Sequence, residues 1–204
     1  PPTKFETRLK PQVALLSTYP AYQTSTHNYI RTPGNKLLLT ATYVMFDKSK
    51  TPHILSINTT QLDVGAQQSE LREIEMNEIL LSLVSSEDSI ILGDFSILPV
   101  DGQISIHGGW SDTSLTVSGN TEDSGATYVP AQNPLIKNKE EPSGRPDRIF
   151  AKLRRYKPES IELVGNEDSV PISSHYGVLA SFAQTDVPLP ITKEEPVVCI
   201  FNRP

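Results

Sequence analysis

The stretch from residue 70 to residue 92 constrains the fold more than any other part of the chain. In ELREIEMNEILLSLV, residues 70–84, Met76, Ile79, Leu80 and Leu83 recur three and four positions apart, the spacing of one helix face. Ser69 stands where an N-cap is expected. A short uncharged run, 89–92 (SIIL), follows almost at once and suits a strand buried on both faces of a sheet. Ahead of the helix lie two strand-rich runs, Leu37–Phe46 (LLLTATYVMF) and 54–58 (ILSIN). The first is opened by the turn pair Pro33-Gly34, and a Lys/Ser/Pro loop joins the two. The expected order is therefore a hairpin, a helical crossover and a central strand.

Further strands are expected at 148–153, 161–164 and 177–182, and a buried strand at 13–16 (VALL), closed by Ser-Thr-Tyr-Pro. Strands predominate, which predicts α/β or α+β layers with sheet packed on sheet. At 37% hydrophobic residues and a net charge of −6, the chain is too apolar and too weakly biased in charge to be wholly disordered. Its length suits one domain with a sizeable core, residues 12–183. Residues 184–204 contain TDVPLPITKEEPVV, where proline alternates with charge, and read as an extended tail. No run of 18 apolar residues is present, so no membrane span is expected, and PPTKFETRLKP does not read as a secretory signal. The single cysteine, Cys199, has no internal disulfide partner, which favours a reducing intracellular compartment, cytoplasm or nucleus. The acidic balance argues against broad phosphate-backbone binding and leaves room for a local basic groove.

Chemistry is expected first at Gly93-Asp94-Phe95-Ser96. A carboxylate at the carboxyl end of a buried strand projects into the crevice where α/β sheets bind ligands. Asp94 beside the polar Ser96 suits magnesium (Mg²⁺), which takes oxygen ligands and keeps waters for a phosphate to share. The same tetrapeptide equally serves to end a strand and begin a turn. His175, in Ser173-Ser174-His175 before a strand, can donate to a phosphoryl oxygen or act as general acid or base. A solvated loop histidine is the plainer reading, since the preceding positions are serines and offer it no orienting carboxylate.

In 142–150, PSGRPDRIF, Asp147 lies between Arg145 and Arg148. It can lock a loop near an anionic ligand while Arg145 contacts the phosphate, or simply form an ion pair. Lys152, Arg154, Arg155 and Lys157 make a small basic stretch, either a nucleic-acid contact or a solvated strand edge. Trp110, in the turn Gly108-Gly109-Trp110-Ser111-Asp112, is expected to pack rather than to stack on a ligand. Asp63, Asp101 and Asp123 carry no signal singly.

Taken in order, these pieces resemble the endonuclease/exonuclease/phosphatase superfamily, whose fold is deoxyribonuclease-I-like. VALLSTYP resembles a strand ending in Ser-x-x-Pro, ILSINTTQLD an Asn-Thr-His-Leu strand, and IILGDFS a Gly-Asp-Phe-Asn motif. GWSDT resembles a later Asp-bearing turn and ATYVPAQNPL a Thr-Tyr/Trp segment. RPDRIF and ISSHYGVLASF resemble the Asp-Arg-Ile and final Ser-Asp-His strands, most as they occur in the tyrosyl-DNA-phosphodiesterase branch.

The resemblance implies two packed sheets flanked by helices and Mg²⁺-assisted attack of water on a phosphate ester, possible substrates including nucleic acid. It implies that Asp94 orients the nucleophile and aids the metal site. Asp147 would support the site loop, and His175 would stabilise charge on phosphoryl oxygens. Gln61, Ser96 and Arg145 would face the substrate. Three departures stand out: Gln61 replaces a histidine, Ser96 an asparagine and Ser174 an aspartate. The opening part of the family domain, with its Asn and metal-binding Glu, has no counterpart here. The expectation is therefore a diverged phosphodiesterase whose hydrolysis is weak or lost, the alternative being an inactive binding or scaffolding module. A domain incomplete at its N-terminal side would also expose sheet surface, so a partner chain or self-dimer is expected to cover it.

Overall fold

Six strands form one sheet. They are β1 (Gln23–Asn28), β2 (Leu37–Phe46), β3 (Pro52–Gln61), β4 (Asp88–Asp94), β5 (Ser111–Asp112) and β6 (Asp147–Lys152), in the spatial order β1-β2-β3-β4-β6-β5. The computed structural model describes residues 13–32, 36–97, 105–117, 125–166 and 171–186. The expected hairpin is β2–β3, antiparallel from Leu38↔Thr60 to Phe46↔Pro52. Helix α1 (Ser69–Ser82) then returns the chain to β4, which lies parallel to β3 from Leu55↔Asp88 to Gln61↔Asp94. A one-turn helix, α2 (Thr113–Thr116), follows β5. A second, two-stranded antiparallel sheet is made by β7 (Tyr156–Val164) and β8 (Gly177–Gln184).

The register of the central strands is set from inside by a buried amide. Asn58 on β3 accepts a hydrogen bond from Thr40 Oγ1 of β2 (2.8 Å) and donates to Ser89 Oγ and to the Ile90 carbonyl of β4 (2.9 Å each). A slip of one residue would turn every side chain of a strand to the opposite face and strand this amide without partners. Holding β3 and β4 in register is what brings Gln61 level with Asp94.

Each face of the large sheet has its own core. On one, Met76, Ile79, Leu80 and Leu83 of the helical segment meet Leu38, Leu62, Ile91, Phe95, Trp110 and Phe150. Phe95 and Phe150 meet edge to face at 4.7 Å, a favoured aromatic geometry. On the other, Ile90, Ile149 and Ala151 pack against Val178, Ala180 and Phe182 of the second sheet. The architecture is thus helix on sheet on sheet, the mixed α/β layering expected, with Trp110 in the core.

Several details differ from the sequence reading. Residues 13–16 form no strand: Leu16 is 92% exposed, and a four-residue apolar run without a ladder partner among the described residues has nothing to pair with. The first strand is instead β1 (QTSTHN), a polar edge strand without the apolar alternation that marks a half-buried one. Ser69 is the first helical residue rather than the N-cap. The cap position falls on Gln68, because a 3₁₀ turn at Ala66–Gln68 leads straight into α1.

Strand β4 is not buried along its whole length, since Leu92 is 36% exposed, and in the expected strand at 177–182 Leu179 is 53% exposed. The pleat turns Val178, Ala180 and Phe182 inward and leaves Leu179 outside, while two strands cover only part of the larger sheet. Pro33-Gly34, Asp101, Asp123, Cys199 and the tail beyond residue 186 lie outside the described residues. No helix among the described residues is long and apolar enough to cross a membrane.

Candidate functional site

Four chain segments end at one rim of the large sheet. Asp94 closes β4, Asp147 opens β6 directly opposite it, and Gln61 closes β3 on its other side. His175 sits just ahead of β8. One ligand atom from each of Asp94, Asp147 and His175 lies within 4.8 Å of the others. The three side chains that the motifs singled out therefore converge, although 81 positions separate the first from the last.

Asp94 is held from both sides. The Leu62 amide donates to its carbonyl (2.9 Å), and the next amide, Phe95, donates to the Pro146 carbonyl (2.7 Å). Its carboxylate Oδ1 accepts from the Ser96 amide (2.8 Å) and hydroxyl (3.0 Å). Among the described residues, its Oδ2 receives only a long contact from the Gln61 amide at 3.5 Å. Ser96 has φ of 52°, a left-handed conformation that asparagine tolerates better than serine. Gly93 fits because there is no room for anything larger: a Cβ there would lie 2.0 Å from the Thr60 carbonyl oxygen.

His175 has the carboxylate partner that its neighbours in sequence do not supply. Its Nδ1 lies 2.7 Å from Asp147 Oδ2, and that same oxygen accepts from the Thr127 hydroxyl at 2.7 Å. The hydrogen bond to Asp147 raises the imidazole above its ordinary pKa. Burial opposes that shift, and the negative charges of Asp147 and Asp94 reinforce it. A raised pKa means that imidazolium contributes stability fully below the ordinary value of about 6.5, and that this is lost as pH rises through the higher folded value. In Asp147→Asn the NMR titration midpoint of His175 should fall to or below that ordinary value. A midpoint that does not move would assign the shift to another group.

Around this pair, the Tyr128 ring meets His175 edge-on at 5.2 Å. A hydrogen bond to Glu141 pushes the Tyr128 phenol up to about 12. Buried Asn133 donates to the Ser173 carbonyl at 2.9 Å and so anchors the loop that carries His175. Thr127, Tyr128 and Asn133 all fall in ATYVPAQNPL, a segment legible as a motif whose individual roles the sequence did not give.

The arginines are placed differently from expectation. Asp147 pairs with neither; both reach Asp112, whose side chain is 1% exposed. Arg145 Nη2 lies 3.1 Å from each Asp112 oxygen and Arg148 Nη1 lies 3.0 Å from Oδ2, while Asp112 also caps α2 through the Ser114 amide. A carboxylate this deeply buried requires cationic partners, which draws Arg145 into the support behind the cluster rather than toward a phosphate. A cavity of about 200 Å³ adjoins Asp147 here, bounded by Arg148, Ile161, Glu162 and Val178.

The basic stretch belongs to the far end of β4. Arg154 and Arg155 pair with Glu87, and Arg155 also pairs with Asp88. Asp88 further accepts from the backbone amides of Arg154 and Arg155 (2.7 and 2.8 Å). At a rise of about 3.3 Å per residue this end lies roughly 20 Å from Asp94, so these arginines tie strands together instead of lining the candidate site.

No family model and no curated protein matches the sequence. Solved structures do. D. rerio TDP2 complexed with single strand DNA product aligns with a TM-score of 0.67 at 19% identity, over 80% of this chain and 68% of that one. An endonuclease/exonuclease/phosphatase family protein from Leptotrichia buccalis aligns at 0.56 and 16% identity, over 81% of this chain and 62% of that one. The human Nocturnin catalytic domain with bound sulfate anion aligns at 0.57 and 14% identity, over 81% and 60%. The chain thus spans 60–68% of the length of these three structures. Its order of elements, its two packed sheets and these alignments agree with the motif order: the chain has a deoxyribonuclease-I-like fold, similar to that of these endonuclease/exonuclease/phosphatase-type structures.

Proposed function

We propose that this chain is a slow, divalent-metal-assisted phosphodiester hydrolase, acting on nucleic-acid ends or a related phosphate ester. The observation that carries the reading is the meeting of Asp94 with the His175–Asp147 pair at one rim. A lone carboxylate or a lone histidine would support no such reading. In this reading Asp94 orients the attacking water. His175, whose imidazolium form the Asp147 hydrogen bond favours, holds the negative phosphoryl oxygens, an electrostatic contribution of the kind worth roughly 10²–10³ in rate. The DNA product in the D. rerio TDP2 structure supports nucleic acid as the substrate class.

The donors fit Mg²⁺ sparingly. Asp94 Oδ1 already accepts from Ser96, and Asp147 Oδ2 is taken up by His175 and Thr127, which leaves Asp94 Oδ2 and Asp147 Oδ1 as the best-placed ligands among the described residues. Mg²⁺ is commonly bound through one or two carboxylates, with waters and substrate phosphates completing its shell. When bound, it would supply Lewis-acid stabilisation of the phosphate.

A second reading, a binding module without turnover, draws on Ser96. Its amide and hydroxyl both serve Asp94 rather than facing outward, and Gln61 stands where the family pattern has histidine. Turnover of a chromogenic phosphodiester with a Mg²⁺ titration of Tm separates the two. A Tm that rises with Mg²⁺ and a turnover that disappears in Asp94→Ala support hydrolysis. Zero turnover at millimolar Mg²⁺, with oligonucleotide binding retained, supports the binding module and sinks the enzyme.

We also propose an intracellular location, given the single cysteine, and a domain of residues 12–183 followed by a Pro-rich tail. Val164 and Leu179 are 50% and 53% exposed on the two-stranded sheet, which favours self-association or a partner chain. Gel filtration should show a species larger than the monomer; a clean monomer would remove this part of the proposal.

A further inference from the structure

The carboxylate that orients His175 is itself oriented, and one residue does it. The Thr127 hydroxyl donates to Asp147 Oδ2 at 2.7 Å and accepts from the Asp147 amide at 3.3 Å. The Thr127 carbonyl accepts from the amide of Tyr176, the residue after His175, at 2.8 Å. Among the described residues, only Thr127 and His175 donate to the Asp147 side chain. Thr127 is 1% exposed, so water does not compete for its hydroxyl. Its neighbour Tyr128 exchanges two backbone hydrogen bonds with Gly144 (3.1 and 2.9 Å), fixing the segment against the residues that lead into β6 and Asp147.

We propose that Thr127 is the positioning residue of the His175–Asp147 pair, setting the carboxylate rotamer through its hydroxyl and the His175 backbone through its carbonyl. The Asp147 side chain has three staggered wells about its Cα–Cβ bond, and the Thr127 hydroxyl holds the one that directs Oδ2 at Nδ1 of His175. A β-branched threonine is stiff about its own Cα–Cβ bond, so its hydroxyl is presented in one direction at little entropic cost. The chain thereby obtains, from a segment without regular secondary structure, the orientation that the position before His175 does not supply, since Ser174 has no carboxylate to offer. The consequence for turnover rests on the hydrolase reading; the consequence for the imidazole does not.

The test uses histidine-labelled full-length protein and Thr127→Val, which keeps the shape and removes the hydroxyl, with Thr127→Ser as the conservative control. In the wild type the His175 Nδ1–H NMR signal should be sharp and slow to exchange. It should broaden into solvent exchange in Thr127→Val and return in Thr127→Ser. If the enzyme turns over, kcat should fall by about 10-fold or more in Thr127→Val, as for other outer-layer partners, with KM little changed, and recover in Thr127→Ser. A Thr127→Val protein that keeps the wild-type Nδ1–H signal overturns the proposal, whatever the turnover. Should Thr127→Val fail to fold, the wild type decides. A protected Thr127 hydroxyl proton with a nuclear Overhauser contact to the His175 ring supports the assignment, and its absence overturns it. Zero turnover in the wild type with the ring signals as expected would discard the hydrolase and leave the positioning role standing.

Discussion

Gly93→Ala should leave little folded protein. The added methyl would lie 2.0 Å from the Thr60 carbonyl oxygen, 3.0 Å from its carbonyl carbon and 3.2 Å from its amide nitrogen. All three are backbone atoms of the neighbouring strand, so no side-chain rotation relieves the clash. Thr60 is paired with Gly93 in the β3–β4 ladder, so separating the two means opening the centre of the sheet. Overpacking typically costs about 1–3 kcal/mol where side chains can adjust. Here the cost should exceed that range, against a total stability of about 5–15 kcal/mol for an ordinary domain. Urea unfolding measures it. A midpoint unchanged from the wild type would mean that β3 and β4 do not approach this closely. The same closeness brings Gln61 within reach of Asp94, so a partly folded variant should also lose whatever the rim does.

The second large effect is expected at Asp112, a residue that touches nothing in the candidate site. Its carboxylate joins two guanidiniums, with Arg145 and Arg148 side chains 5% and 13% exposed. Removing one partner of a buried charge pair costs about 3–5 kcal/mol. Loss of the α2 cap falls on the same carboxylate and is not additive with it. In a chain of this size Asp112→Ala should lower Tm by roughly 6–20 °C. Asp112→Asn keeps an acceptor for the Ser114 amide and should lie between. The deficit should change little between low and high salt, because buried pairs are poorly screened. A Tm within about 2 °C of wild type, where surface changes usually fall, would show that the arginines have other sufficient partners.

How much of this could be read in advance depends on the distance over which each feature is determined. The crossover was legible because its signals are local: three-and-four spacing in 70–84, then an uncharged run. Asp94 was legible for the same reason, a carboxylate at the tip of such a run. The partner of His175 was not. Its carboxylate comes from Asp147, 28 positions upstream, and the packing of β8 on β6, with the Thr127 and Asn133 bonds to the loop ahead of β8, brings the two together. The same holds for Arg145, whose nearest acid in sequence is Asp147 and whose actual partner is Asp112, 33 positions away. Residues 13–16 and β1 fail in opposite senses: an apolar run with no neighbour to pair with stays irregular, and a polar run beside β2 becomes a strand.

Strand β4 carries an aspartate at each end, on the same face, and the two show what separates an anchor from a reagent. Asp88 has no exposed side-chain surface and three N–H donors spread over both its oxygens, so it has no unused lone pair within easy reach. Asp94 draws its two firm donors onto a single oxygen and leaves the other nearly unclaimed. Identical chemistry in one strand is thus silenced at one terminus and kept hungry at the other, and an incoming electrophile or cation would find its welcome only at the second.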